Sequence, residues 1–315
     1  MGASNETMVT EFILIGLSDH PNAQPVFFGF LLVAYLISVL GNGFIIMLSI
    51  ADPQLHTPMY FFLCTLSSID LIVTNNVVPE MLVHCFIHRP TISFSRCLTQ
   101  MYIGLLLIVT ECILLAIMAY DRFAAICQPL HYMQIMSWKF CICLLVLALS
   151  FSSRMTLINV LLQPTDFCGR NIMDHFGCEL EQFLKLSCSD THTSELFMHV
   201  SGLIILIPPF GCIVVTYVRI GLAVLRIRST EGHKKAFSTC SSHLAVVSIF
   251  YGTIMIMYLK PQGTSPQGTS VSDKDKLISL MYGVLTPMLN PLIYSLRNRD
   301  VKGAFWKLIG RKMSE

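Results

Sequence analysis

Charged residues are scarce in this chain of 315 residues. Asp, Glu, Lys and Arg together make up 13% of it, whereas an average soluble domain has about a quarter. Tryptophan is rare as well, with 2 residues, and 21 basic residues nearly balance 19 acidic ones. The low charge argues against a soluble globular domain, and we expect no nucleic-acid partner.

Apolar residues are correspondingly abundant, at 54% of the chain with a mean hydropathy of +0.65, and they are gathered into long runs. Runs of about 20 apolar residues are typical of membrane spans, and backbone groups in lipid must be satisfied within the segment, which favours helices. We therefore predict an all-α membrane protein, a bundle of seven transmembrane helices. The predicted spans are 26–50, 58–84, 98–120, 140–162, 196–225, 237–259 and 272–296.

The distribution of Lys and Arg predicts the orientation. The connections on one side of the membrane and the C-terminal segment carry 13 basic residues, and those on the N-terminal side carry 8. Because cytoplasmic loops are enriched in Lys and Arg, we expect residues 1–25 outside and 297–315 in the cytoplasm. Asn5, in the tripeptide Asn5-Glu6-Thr7, is then an outer glycosylation acceptor. No basic stretch precedes an apolar run near the start, so we expect no cleavable signal peptide.

The C-terminal segment has its own periodicity. Val301, Phe305, Leu308 and Ile309 recur at helical spacing, with basic residues between them. This pattern predicts a short amphipathic helix lying on the lipids of the inner leaflet.

An acidic and a basic residue, Asp121 and Arg122, stand together at the end of the third predicted span, in the stretch MAYDRFAAIC. At a helix end the carboxylate would hold the guanidinium in an ion pair that a conformational change can break. The alternative is that both are ordinary interface charges that end a membrane helix.

Three polar residues lie deep in predicted spans: Asp70, Glu111 and Asn290. Ionisable groups at this depth face the bundle interior and find partners there. Two interpretations stay open. The three side chains form an oxygen-rich site for a cation such as Na⁺, or they form a hydrogen-bonded core in which one carboxyl group is protonated.

Four of the 12 cysteines lie on the predicted outer face. Cys168, Cys178 and Cys188 belong to the long connection 154–195, and Cys97 opens the third span. Four cysteines in an oxidising compartment allow three pairings. The other eight fall in or near spans, where thiols act as small hydrophobic groups. No CxxC spacing occurs, and we expect no metal site.

Two spans carry prolines that disturb a helix. Pro208-Pro209 predicts a kink in the fifth span, and Tyr217 follows two turns later. Pro291, beside Asn290 and close to Tyr294, interrupts the seventh span. Such interruptions give a helix two available shapes, as a switch requires.

Four stretches, LHTPMYFFL, MAYDRFAAIC, KAFSTCSSHL and PMLNPLIYSLRN, occur in order on the expected spans. Together they resemble the odorant receptor family of rhodopsin-like G-protein-coupled receptors, in its tetrapod-type (class II) branch. The resemblance covers essentially the whole chain. It has departures: Phe123 and Ala124 stand where the family usually has Tyr and Val, and Gly177 replaces an aromatic residue.

The resemblance implies a disulfide between Cys97 and Cys178, which leaves Cys168 for Cys188. It implies that Arg122 engages a G protein once the Asp121 restraint relaxes, while Tyr217 and Tyr294 rearrange beside it. The activation residues implied are Asp121, Arg122, Tyr217, Asn290, Pro291 and Tyr294. The implied partner is the stimulatory olfactory G protein, which raises cyclic AMP, and the implied location is the plasma membrane of olfactory cilia.

A volatile ligand needs a mostly apolar cavity with a few polar anchors, which we expect in the outer half of the bundle. The predicted contacts are Gly104, Leu105, Ile108, Val109 and Cys112 on the third span, Ser201, Gly202 and Ile205 on the fifth, Tyr251, Ile254, Met255 and Tyr258 on the sixth, and Leu280 and Gly283 on the seventh. A single Leu or Ile there fits plain helix packing better than ligand contact, so the polar candidates Tyr251, Tyr258 and Ser201 carry more weight. No acidic residue lies at this depth of the third span, so we expect a neutral odorant rather than an amine.

Two other functions compete with this interpretation. A non-olfactory receptor of the same fold would share every motif above. A transporter or channel would show internal repeats and helices broken at the midplane, and seven spans do not divide into equal halves. An enzyme is disfavoured, because no nucleophile–base pair or set of metal ligands emerges.

Overall fold

The computed structural model describes residues 9–16, 24–87, 89–226, 230–258, 273–297 and 299–308. Its main elements are α1 (Gln24–Ala51), α2 (Pro58–His84), α3 (Phe94–Cys127), α4 (Trp138–Leu161), α5 (His192–Leu225), α6 (Thr230–Tyr258), α7 and α8 (Arg299–Leu308). Helix α7 runs as Asp273–Leu280, a π-helical turn Met281–Leu285, and Thr286–Arg297. Short helices Tyr132–Ile135 and Leu180–Leu186 lie in connections.

Seven of these helices, α1 to α7, contain a segment that is long and apolar enough to cross a membrane. The predicted seven-helix bundle is therefore confirmed. Helix α3 is its centre and packs against α2, α4, α5 and α6. It is longer than predicted, running to Cys127 rather than to residue 120, so Asp121 and Arg122 lie inside the helix and not at its end.

Close packing of α1 against α7 follows from Gly41. A Cβ atom added at Gly41 would lie 2.9 Å from the Pro291 ring, so a larger residue would push the helices apart. The neighbouring Asn42 donates a hydrogen bond of 2.9 Å to the carbonyl oxygen of Pro287. In a regular helix this carbonyl would accept a hydrogen bond from the N–H of residue 291, but a proline has no N–H. The Asn42 amide takes its place as the donor.

Helix α8 follows α7 and has the predicted amphipathic character. Val301 and Ala304 are buried, and the Phe305 ring lies 5.3 Å from the Phe44 ring of α1. Lys307 donates to Asp52 and Gln54 in the α1–α2 connection. The apolar side of α8 thus packs in part on the bundle itself, while Ile309 lies outside the described residues.

A three-stranded sheet, which the sequence analysis does not anticipate, covers one end of the bundle. Its strands are β1 (Glu11–Leu14), β2 (Thr91–Ser93) and β3 (Ile172–Met173), in the order β2-β1-β3. Strand β1 pairs antiparallel with β2 and parallel with β3. The segment 1–25 is therefore not a separate tail, because part of it is the middle strand of a sheet.

Aromatic packing holds β1 in place. Phe12 is 0% exposed, and its ring lies 5.4 Å from Phe167, 5.5 Å from Phe183 and 6.1 Å from Phe94. These distances are typical of favourable aromatic pairs. The cluster joins the N-terminal strand to the connection between α4 and α5 and to the start of α3.

Candidate functional site

Two disulfides mark the end of the bundle that carries the sheet, which we call the disulfide end. They join Cys97 to Cys178 and Cys168 to Cys188, with Cα atoms 5.4 and 6.0 Å apart. These are the two pairs expected from the resemblance. The first fastens the α4–α5 connection to the top of α3, and the second closes a loop within that connection.

The side chain of Gln100 reinforces the first disulfide. Its Oε1 accepts a hydrogen bond of 2.9 Å from the backbone N–H of Cys178, and its Nε2 donates to Glu80 of α2. A Cβ atom at Gly177 would lie 3.2 Å from the Gln100 Oε1. The departure at Gly177 therefore suits a close approach of the loop backbone to α3.

At the opposite end of the bundle, Arg122 is the centre of a buried polar cluster. It is 7% exposed and lies close enough to Tyr217, His243 and Tyr294 to interact with them electrostatically. The Nε of Arg122 and the hydroxyl of Tyr294 have no hydrogen-bond partner among the described residues. Buried polar groups without partners are costly.

Asp121 and Arg122 make no direct ion pair among the described residues, because adjacent residues on a helix point in different directions. Their charges still interact at a longer distance. The Asp121 carboxylate instead accepts a hydrogen bond of 2.7 Å from the hydroxyl of Tyr132. Burial, together with the negative charge and hydrogen bond of Asp121, raises the pKa of Tyr132.

His243, in the stretch KAFSTCSSHL, was not predicted as a site residue. The Nδ1 of His243 and the hydroxyl of Tyr217 are 2.7 Å apart and share a hydrogen bond, and their rings are stacked at 5.8 Å. This contact joins α5 to α6 beside Arg122. The signal in the sequence was a lone histidine in an apolar span, which only the fold pairs with a tyrosine.

Midway along the bundle, the three predicted core residues lie together, and Asn290 interacts with both carboxyl groups. Asn290 Nδ2 donates to both carboxylate oxygens of Asp70, at 3.2 and 3.0 Å. Glu111 is buried at 5% exposure, and its Oε1 has no hydrogen-bond partner among the described residues. The two carboxyl groups and the amide therefore form a polar core surrounded by apolar side chains.

A cavity of about 450 Å³ lies between α3, α4, α5 and α6, toward the disulfide end. Half of the predicted ligand contacts line it: Leu105, Ile108, Val109, Cys112, Ser201, Ile205 and Ile254. This volume includes space that is open to solvent. The lining is mostly apolar, as expected for a volatile ligand.

Six of the other predicted contacts do not line this cavity: Gly104, Gly202, Tyr251, Met255, Leu280 and Gly283. Counting helical turns gives the depth of a residue but not the face it presents. Leu280 packs with Leu31 and Met81 on the α1–α2 side of the bundle, and Gly283 lies in the π-helical turn. The side chain of Tyr258 lies outside the described residues.

Tyr251 is part of the floor beneath the cavity and not of its wall. Its hydroxyl donates a hydrogen bond of 3.1 Å to the carbonyl oxygen of Cys112, and its ring lies 5.1 Å from that of Phe210. It therefore ties α6 to α3 at the level where Cys112 lines the cavity.

Five lining residues were not predicted: Thr156 and Asn159 of α4, Leu180 of the short helix Leu180–Leu186, and Met198 and Leu206 of α5. Asn159 accepts a hydrogen bond of 3.2 Å from the hydroxyl of Ser201. The amide of Asn159 within the fourth predicted span could have indicated this position.

No group of three potential metal ligands occurs within the described ranges. The spacing of His84 and His88 is one that zinc sites use, and the sequence analysis overlooks it. His88 lies outside the described residues, as does the predicted acceptor Asn5.

Comparisons with known proteins agree with this architecture. A family model described as olfactory receptor matches residues 31–312. Human olfactory receptor 13H1 is 47% identical over 98% of this chain and 99% of its own length, and mouse olfactory receptor 1M1 is 45% identical over 100% and 99%. The crystal structure of squid rhodopsin superposes with a TM-score of 0.69 over 94% of this chain and 84% of that chain, at 18% identity. The chain therefore belongs to the olfactory receptor family, the odorant receptors of the rhodopsin fold, which lie in the plasma membrane, couple to G proteins and are not enzymes.

Proposed function

We propose that this receptor binds a small neutral odorant in the cavity between α3, α4, α5 and α6 and activates a stimulatory, olfactory-type G protein that raises cyclic AMP. The observation that carries the proposal is that one helix, α3, contributes both to the cavity and to the Arg122 cluster. Cys112 lines the cavity and Arg122 lies ten residues further along, roughly 15 Å down the helix axis.

The chemistry of the cavity supports a neutral ligand. None of its described lining residues is acidic or basic, and its polar side chains are those of Cys112, Thr156, Asn159 and Ser201. A charged amine would enter this apolar site without a counter-ion, at a large desolvation cost. An alcohol, ketone or ester would bury its apolar part and bond to the Asn159–Ser201 pair.

A route from the cavity to Arg122 runs through α6. A ligand that displaces Cys112 or Ile254 strains the hydrogen bond from Tyr251 to the Cys112 carbonyl. Helix α6 also carries His243, which is bonded to Tyr217 beside Arg122. A shift of α6 would therefore change the partners of the Arg122 cluster. The neighbouring part of α7, with Asn290, Pro291 and Tyr294, is interrupted by a proline and would bend with it.

A cyclic AMP reporter in cells that express the receptor tests the proposal with a panel of neutral and charged odorants. We expect a response to one or more neutral members, and loss of that response in Arg122→Ala at equal surface expression. Lys139→Ala, a change of a basic residue at the start of α4, is the control and should respond as the parent does. An undiminished response in Arg122→Ala, or a selective response to a permanently charged amine, would contradict the proposal.

The orientation that fits this function places the disulfide end outside the cell, because disulfides persist in oxidising compartments. The three segments would be an extracellular 1–25 with glycosylation at Asn5, the bundle 26–296 and a cytoplasmic 297–315. An antibody to an N-terminal epitope should stain intact cells, whereas one to the C-terminus should need permeabilised cells. Staining in the reverse sense would overturn the assignment.

The polar core is a candidate Na⁺ site, supported by the oxygen atoms of Asp70 and Glu111 beside the amide of Asn290. If Na⁺ binds there, replacing NaCl by a salt of a large organic cation should change odorant potency. Asp70→Asn should abolish that dependence. If the dependence is unchanged in Asp70→Asn, the core is simply hydrogen-bonded with a protonated carboxyl.

A further inference from the structure

One basic side chain, that of Arg154, lies on the outward face of a membrane-spanning helix. Helix α4 is apolar, and 22% of the residues in its most apolar segment are buried in the bundle. Arg154 is exposed, and so are Phe151 and Ile158, about one turn before and one turn after it. Arg154 therefore belongs to a stripe of side chains that faces the lipid.

Two hydrogen bonds hold α4 in this orientation. The hydroxyl groups of Ser153 and of Tyr102 on α3 share a hydrogen bond of 3.0 Å, and Asn159 accepts one of 3.2 Å from Ser201 on α5. Both bonds lie on the side of α4 that faces the bundle. Helix α4 cannot rotate to turn Arg154 inward without breaking them.

The charge of Arg154 is not neutralised by the described part of the protein. Its guanidinium forms no hydrogen bond or ion pair with any described residue, whereas Arg122 is buried within the bundle. A guanidinium is always charged and carries five N–H donors. In hydrocarbon these donors find no acceptor, and an unpaired charge there is costly. The position of Arg154 therefore calls for an anionic acceptor.

The depth of Arg154 in the membrane indicates which acceptor is within reach. Helix α4 begins with Trp138 and Lys139, which are typical of a membrane–water boundary. Arg154 follows sixteen residues after Trp138, roughly 24 Å along the helix axis. Since the hydrocarbon core is about 30 Å thick, the backbone of Arg154 lies roughly 6 Å inside the boundary at the disulfide end. Lipid phosphates lie just beyond that boundary, and a long arginine side chain can extend toward them.

We infer that the outward face of α4 binds a phospholipid of the leaflet at the disulfide end, and that the lipid phosphate accepts hydrogen bonds from the Arg154 guanidinium. A planar guanidinium can donate two parallel N–H bonds to the oxygens of one phosphate. The acyl chains then lie along the exposed side chains of Phe151 and Leu147, toward the middle of the membrane. This binding does not depend on which odorant or G protein the receptor uses.

Binding is tested by photo-crosslinking on membranes that contain the full-length receptor. Two lipid probes carry the same diazirine in the upper part of one acyl chain. One is a phosphatidylcholine, and the other is a galactosyl diacylglycerol, whose neutral headgroup has no phosphate. We expect the phosphatidylcholine to label residues 147–158 at least threefold more than the galactolipid does at equal membrane concentration. Equal labelling of this segment by the two lipids would overturn the inference.

Variants of the same side chain separate its charge from its packing. Arg154→Gln keeps a polar side chain without the charge and should abolish the preference for phosphatidylcholine, whereas Arg154→Lys should retain most of it. Lys139→Gln, at the opposite end of α4, is the control and should label as the parent does. An undiminished preference in Arg154→Gln would overturn the inference. If this variant is poorly produced, the comparison of the two lipids on the parent still decides.

A second measurement uses the stability of the purified full-length receptor in detergent. A ligand that binds the folded state stabilises it, so added phosphatidylcholine should raise the melting temperature at least twice as much as the galactolipid does. In Arg154→Gln the two lipids should have equal effects, and equal effects in the parent would count against phosphate binding. A receptor dimer that dissociates in Arg154→Gln, without lipid labels on α4, would show that a second copy covers this face and would overturn the inference.

Discussion

The two ends of the bundle are held together by different kinds of interaction. At the disulfide end, two covalent bonds, three paired strands and an aromatic cluster around Phe12 fix the connections to α3. At the opposite end, single hydrogen bonds from Tyr132 to Asp121 and between Tyr217 and His243 join the helices. Bonds of the second kind contribute about 1 kcal/mol each, so they can be exchanged during signalling.

This difference separates the effects of mutation. Changes at the disulfide end should lower stability and surface expression, whereas changes around Arg122 should alter signalling at normal expression. Normal expression after a change at the disulfide end, or lost expression after a change around Arg122, would contradict this division.

The largest effect is expected for Cys97→Ser, which removes the disulfide to Cys178. Loss of a native disulfide costs about 2–5 kcal/mol, so we expect little receptor at the cell surface. Cys143→Ser, a change of an exposed free cysteine in α4, is the control. Flow cytometry of an N-terminal epitope measures both, and normal surface levels of Cys97→Ser would show that the sheet alone can hold this end.

Phe12→Ala should come next, because it removes a fully buried ring from the aromatic cluster. Truncation of a core Phe costs up to about 3–5 kcal/mol, but β1 retains its backbone pairing, so the loss of receptor should be smaller than for Cys97→Ser. We expect a lower melting temperature of the receptor purified in detergent. Glu11→Ala, on the exposed position of the same strand, should melt as the parent does, and equal melting of both variants would mean that β1 adds no stability.

Tyr132→Phe tests the opposite end. It removes the hydrogen bond to Asp121 and leaves a buried carboxylate short of one donor, at a cost of about 1–3 kcal/mol. Asp121 then turns toward Arg122, and we expect the maximal cyclic AMP response to fall several-fold at unchanged expression. Tyr120→Phe, at a more exposed tyrosine of α3, is the matched control. A fall in expression without a change in signalling would contradict the assigned role.

A smaller effect is expected for the contact between Tyr217 and His243. In a double-mutant cycle with Tyr217→Phe and His243→Phe, the coupling energy should be about 1 kcal/mol, read from basal cyclic AMP. Strictly additive effects of the two changes would mean that the hydrogen bond does not restrain α6.

The smallest effect is expected for Lys307→Ala in α8. This side chain is exposed, and its contacts with Asp52 and Gln54 lie at the surface, where ion pairs contribute little. Expression and signalling should both match the parent. Phe305→Ala, which removes the ring packed on Phe44, should have the larger effect in α8.

The seven spans could be predicted from the sequence because each is a continuous apolar run. The amphipathic α8 could be predicted because its apolar residues recur at helical spacing within one short segment. The sheet could not, since β1 has only four residues and its partners begin near residues 91 and 172. No local pattern in β1 indicates strands so far away in the chain.

The sequence could predict how deep in the bundle the site residues lie, but not which face of each helix points into the cavity. Four of the five predicted residues on α3 line the cavity, because α3 packs against several helices and most of its faces point into the bundle. Those on α7 do not, since the cavity lies against α4 instead. The π-helical turn Met281–Leu285 also changes which face of α7 points inward, and this turn has no evident signal in the sequence.

The position of β1 has a practical consequence for producing the receptor. Epitope tags and cleavable leaders are commonly fused to the amino terminus of such proteins, where a free tail would tolerate any junction. Here the junction must end ahead of Glu11, because a fusion that replaces or shortens the central strand would remove pairing for β2 and β3 together. Poor yield from a badly placed tag would then reflect a broken sheet and not an unstable bundle.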